Sequence, residues 1–152
     1  MSALAVALHV LGAVVWVGGM FLIYVCLRPA AGSLEPAQRL QLLRGTFAKF
    51  FPWVWLAILT ILGSGYWMAF VTLGGLQNAG LHVHLMQGIG WVMILLFAYL
   101  FHGPWLKFRR AADSADWQAA GGHLARIRRI VAINLPLGIL VVIIGASGRY
   151  WG

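Results

Sequence analysis

The chain has 152 residues, 62% of them hydrophobic and 9% charged, with a mean hydropathy of +0.87. A soluble domain runs at roughly 45–50% apolar and about 25% charged, so a water-soluble globule is excluded, as is a disordered chain. Eleven Lys and Arg oppose three acids for a net charge of +8, but the basic residues flank long apolar runs, which points to membrane topology and not to nucleic acid.

Four stretches meet the roughly 20 apolar residues that a membrane helix needs: about 3–27, 51–73, 83–101 and 127–147. The expected fold is all-α, a single four-helix transmembrane bundle spanning residues 1–152. The first stretch has no positive charge before it, contains His9, Trp16 and Tyr24, and is followed by no clean cleavage site. It is expected to be a retained span and not a signal peptide. Between spans one and two lie Arg28, Arg39, Arg44 and Lys49. Between spans three and four lie Lys107, Arg109, Arg110, Arg126, Arg128 and Arg129, while the link from Gly74 to His82 carries no basic residue. The positive-inside rule then puts both basic loops in the cytoplasm and both termini outside, in the periplasm of a bacterial inner membrane.

Each basic loop is expected to hold a short interfacial helix. Ser33-Leu34-Glu35-Pro36 reads as a helix start with a capping hydroxyl. Leu40, Leu43, Phe47 and Phe50 follow at helical spacing, as for a helix lying among the headgroups. In the second loop Asp113-Ser114 is the expected cap of a short helix through Ala120, ended by Gly121-Gly122.

Polar groups inside a membrane are costly, so the few that remain are informative. No Asp, Glu, Lys or Arg occupies a mid-membrane position, which excludes a carboxylate proton relay within this chain. There is no hydrolytic or phosphate-binding motif, and one cysteine allows no disulfide or thiolate cluster. What remains is histidine. His9 lies in the outer half of span one, and His82 and His84 open span three at the same depth. His102, about 27 Å below His84, and His123 belong to the cytoplasmic face.

Two level histidines on different helices are what axial ligation of haem b requires. His9 and His84 are the expected pair, with Gly12, Trp16 and Gly88 on the same faces leaving room for a macrocycle. Bis-histidine ligation favours electron transfer over oxygen chemistry. Copper is the competing expectation. His82-Val83-His84-Leu85-Met86 alternates imidazole, imidazole and thioether, donors suited to Cu(I), with His9 and Met20 or Met93 as further candidates. In a helix, however, positions 82, 84 and 86 diverge. The same small residues also serve ordinary close helix packing. In span four Asn134 either meets the carbonyl freed by Pro136 or hydrogen-bonds across the bundle.

The segment Leu8-His9-Val10-Leu11-Gly12-Ala13-Val14-Val15-Trp16-Val17-Gly18-Gly19-Met20-Phe21 resembles the first helix of the CopD copper-resistance family. Leu27-Arg28-Pro29, Arg129 through Asn134, Pro136, Gly138 and the closing Gly145-Ala146-Ser147-Gly148-Arg149-Tyr150 are similar as well. The resemblance implies an inner-membrane four-helix protein with a functional first-helix histidine, here His9, and copper handling. The related HemJ-type protoporphyrinogen oxidases imply haem b and quinone-linked redox chemistry. Where those proteins tend to carry a lysine early in the third helix, this chain has His84. The expected partners are the lipid bilayer and a quinone or respiratory-chain protein, the chain acting alone or as a subunit of a larger membrane complex.

Overall fold

A computed structural model describes residues 2–151. Four helices account for nearly all of them: α1 (Ala3–Ser33), α2 (Pro36–Thr72), α3 (Leu81–Asp113) and α4 (Trp117–Tyr150). Each is long and apolar enough to cross a membrane, and no strand occurs among the described residues. Three of the four expected spans fall inside one of them, and the second, 51–73, overruns the end of α2 by one residue. Consecutive helices run antiparallel. The link between α2 and α3 therefore shares one end of the bundle with the two ends of the described chain, and the basic segments share the other.

The helices exceed what the bilayer demands. α2 has 37 residues, about 55 Å of helix against a hydrocarbon core of about 30 Å. The surplus lies at the basic end, where two sequence expectations need correction. Ser33 does not cap α2, since its hydroxyl turns back to the Ala30 carbonyl at 3.1 Å. Pro36 takes the first turn after Glu35, and the helix then runs unbroken through Pro52. Likewise α4 starts at Trp117 with Asp116 as its cap, accepting from the Ala119 amide at 3.0 Å. It passes through Gly121 and Gly122 without a break. Two glycines cost about 1 kcal/mol each in a helix, less than the burial of Ala120, Leu124 and Ile127 around them returns. Asp113 closes α3 instead of capping a new helix, and Arg44 of α2 grips its carboxylate at 2.9 and 3.1 Å.

Packing is tightest in the basic half. Phe51 of α2 meets Phe97 and Trp105 of α3 edge-on at 5.5 and 5.1 Å, and Trp16 of α1 reaches Phe97 at 6.2 Å. Phe108, Leu124 and Ile127 are fully buried there. Near Pro104, which has no amide proton to donate, α3 widens into a π turn over Phe101–Trp105. At the opposite end the α2–α3 link turns through Gly74 and Gly75 at φ of +73° and +126°, values that favour glycine. Burial thins toward this end, where most of the candidate ligands stand.

Candidate functional site

Each seam in the thinly buried half holds its own polar contact. Between α1 and α2, the His9 Nδ1 lies 3.1 Å from both the Ile61 carbonyl oxygen and the Ser64 Oγ. The Ser64 hydroxyl donates to the Thr60 carbonyl at 2.6 Å, so its oxygen is left to accept. A carbonyl can only accept as well, and the proton on His9 therefore belongs at Nδ1. Nε2 keeps its lone pair. An imidazole anchored through one N–H to a carbonyl, with the other nitrogen free, is the form in which histidine binds metals. Gly65 permits the approach, since a Cβ there would stand 3.1 Å from the His9 ring.

Along the seam of α3 and α4, three side chains of α3 each rest on a glycine of α4. His82 covers Gly148, where a Cβ would collide with the imidazole. Met86 puts its sulfur over Gly145, 3.0 Å from the place of a Cβ, and Met93 puts its terminal methyl over Gly138 at 3.1 Å. Positions 82, 86 and 93 follow coiled-coil spacing, so one face of α3 carries an imidazole and two thioethers in a line. The line runs from the start of α3 to about 17 Å along it. Beside its inner end, the Asn134 amide of α4 donates to the Met93 carbonyl at 3.3 Å, choosing the cross-bundle bond. The Asn134 Oδ1 is buried without a partner.

His84 stands apart from both groups. α3 is helical from Leu81, so residues 82 and 84 lie about 200° apart around it. His84 is exposed, and Gly88, one turn on, faces open space. On the same side of α3, Gln87 and Trp91 donate to the Tyr66 hydroxyl of α2 at 3.0 and 3.3 Å. Tyr66 and Ser64 are themselves about 200° apart on α2. His9 thus seats on one side of α2 while the His84 face borders another.

These placements bear on each expected ligand. His9 and His84 are not brought together. Gly12, expected to admit a macrocycle, instead admits α2: a Cβ there would stand 2.8 Å from Ile61 and 3.1 Å from the Ala57 carbonyl. Trp16 is buried against Phe97. The clefts of about 30 and 20 Å³ beside Tyr24 and Arg28 and beside Trp16 and Asn134 adjoin neither His9 nor His84. A bis-histidine haem does not fit these residues as they are placed. Met20 lies about 16 Å along α1 from His9 and does not join it. Among the described residues no three His, Cys, Asp or Glu side chains converge on a point. His102 is exposed with its Nδ1 2.9 Å from the Ala98 carbonyl, and His123 is half-buried among the basic segments.

Sequence reasoning missed Ser64 as the partner of His9 and the glycine seats for Met86 and His82. A signal existed for the first: Gly63-Ser64-Gly65 is a hydroxyl between two small residues inside an apolar span. A family model described as copper resistance protein D matches residues 44–147, which takes in α3 with its His82, Met86 and Met93 and the glycines of α4, while His9 precedes it. No curated protein and no solved structure matches the chain.

Proposed function

Because the chain belongs to the CopD family, copper resistance protein D, we infer that it handles copper ions within a bacterial inner membrane, its basic segments in the cytoplasm. The observation that carries this reading is the line of His82, Met86 and Met93, each on a glycine of α4. Imidazole nitrogen and thioether sulfur are the donors that Cu(I) prefers over the hard cations. Few ligands at each level suit an ion that is cargo, because a fully ligated site would hold it. The glycines bring the α4 backbone close and leave the donors at the helix seam, where an ion can pass between neighbouring levels. His9, with Nε2 free and Nδ1–H fixed by Ile61 and Ser64, is a further donor at the same end of the bundle.

The test is Cu(I) competition against a coloured chelator, using the full chain in detergent. Met86→Leu together with Met93→Leu keeps volume and removes both sulfurs, a swap that cores tolerate for less than about 1.5 kcal/mol per site. With His82→Gln added, Cu(I) affinity is expected to fall by at least about tenfold, the lower range seen when even the outer partners of metal ligands are removed. His84→Ala is expected to leave it unchanged. Wild-type affinity retained in the triple variant refutes the reading. So does purified protein with a Soret band that shifts on reduction, which would restore the haem and electron-transfer expectation.

A further inference from the structure

At the basic end three arginines from three helices gather without a carboxylate. Arg28 ends the apolar run of α1, Arg39 lies in the first turn of α2, and Arg128 stands where α4 enters its apolar run. Arg28 and Arg39 are close enough to Arg128 for their charges to repel it. The Arg28 guanidinium lies over the Tyr24 ring, 5.2 Å from its centre. The Nε groups of Arg39 and Arg128 are buried with no hydrogen-bond acceptor. Among the described residues no acid forms an ion pair with the cluster, Glu35 before Arg39 included. Among the described residues the one ion pair is Arg44 with Asp113, and Asp116 is committed to the start of α4.

Crowded like charges and unmatched N–H donors are both unfavourable, and each calls for an oxyanion. A cleft of about 30 Å³ runs between α1, α2 and α4 beside the cluster. Tyr24, Arg28 and Arg128 line it together with Leu43, Phe47 and Val131. Free phosphate has no use for such apolar walls, whereas a lipid has both a charged head and an apolar body. Depth agrees: Arg28 follows Leu27 where the apolar stretch of α1 ends, and Arg128 stands two residues before Ile130 where that of α4 begins, the level at which headgroups lie.

We propose that this cleft binds an anionic phospholipid of the leaflet at the basic end. The phosphate is held by Arg28 and Arg128 at the mouth of the cleft with Arg39 beside them, and the upper acyl carbons lie against the half-buried rim of Ile23, Tyr24 and Val131. Guanidinium forks suit phosphate oxygens in a way that single ammonium groups do not. The site is independent of the copper reading, because it shares no residue with the α3–α4 seam.

The experiment uses the full chain in a neutral detergent, titrated with short-chain phosphatidylglycerol, phosphatidylcholine or inorganic phosphate. Bound lipid is counted by native mass spectrometry. Phosphatidylglycerol is expected to bind at least tenfold more tightly than phosphatidylcholine, and millimolar phosphate is expected not to displace it. An arginine at an anionic surface contributes about fivefold, so Arg28→Gln with Arg128→Gln should weaken phosphatidylglycerol binding about 25-fold. Lys107→Gln with Arg110→Gln removes the same charge from the same end, outside the cleft, and should change it less than twofold. Equal binding of the two lipids, an equal loss in the control pair, or displacement by phosphate would each overturn the proposal. Should the arginine variant not fold, the comparison of lipids on the wild-type chain decides alone.

Discussion

Replacing Asn134 by leucine should make this membrane protein more stable. Asn134 is 2% exposed at the centre of the bundle. Its amide nitrogen donates to the Met93 carbonyl at 3.3 Å, but the α3 ladder already supplies that oxygen with a helical donor. Such interhelical bonds average about 0.6 kcal/mol in membrane proteins. The Oδ1, buried and without a partner, costs about 1–3 kcal/mol. Leucine has the same branched four-atom outline, so no large cavity is created. The difference favours the variant by about 1 kcal/mol. SDS-driven unfolding in mixed micelles, followed by tryptophan fluorescence, measures it. A loss of more than about 1 kcal/mol would refute the reasoning, because it would mean that Oδ1 is satisfied by a water held in the adjoining cavity of about 20 Å³.

Two further substitutions test where packing resides. Phe108 is 0% exposed and lies edge-on to Phe47, with centroids 6.2 Å apart, beyond the apolar stretch of α3. Phe108→Ala should cost about 3–5 kcal/mol, whereas Leu59→Ala, at a site 66% exposed toward lipid, should stay within about 0.5 kcal/mol in the same unfolding assay. Asp113 also lies past the membrane stretch, and the hydrogen bond from Arg44 holds its carboxyl below the ordinary aspartate range. The stabilisation is therefore present above about pH 4 and fades as pH falls through the lowered value. Asp113→Asn should melt slightly lower than wild type at pH 7, and the two curves should converge in acid or at high salt, since the pair is exposed.

The four spans were legible because the bilayer imposes a minimum apolar length on any segment that crosses it. Their ends were not. Residues 36–50 and 117–126 have the composition of interfacial loops, yet both are the first turns of α2 and α4. What extends them is tertiary: Leu40, Leu43, Phe108, Ala120 and Leu124 are buried against one another beyond the membrane stretches. Nothing in one helix's own pattern reports such a partner. His9 was legible as a polar group in an apolar run. Its anchor was not, because Ser64 lies 55 residues away in the chain.

The choice between His82 and His84 shows what decides which side chain of a helix faces its neighbour in a bundle of this kind. Both lie at the mouth of α3, two residues apart, and composition treats them alike. Helix geometry separates them by about 200°, so at most one can face any given neighbour. The neighbour then selects. α4 presents Gly138, Gly145 and Gly148 at spacings of seven and three, and the antiparallel α3 presents Met93, Met86 and His82 at seven and four. The two sets meet with His82 turned inward, and at Gly138 the hollow is shared with Val17 of α1, whose Cγ2 would stand 2.9 Å from a Cβ there. Glycine placement on α4 thus selects which imidazole shares a face of α3 with the thioethers. By the same logic a substitution at Gly145 acts on Met86 without altering any of the three proposed donors, which makes the seam a structural unit and not a set of separate side chains.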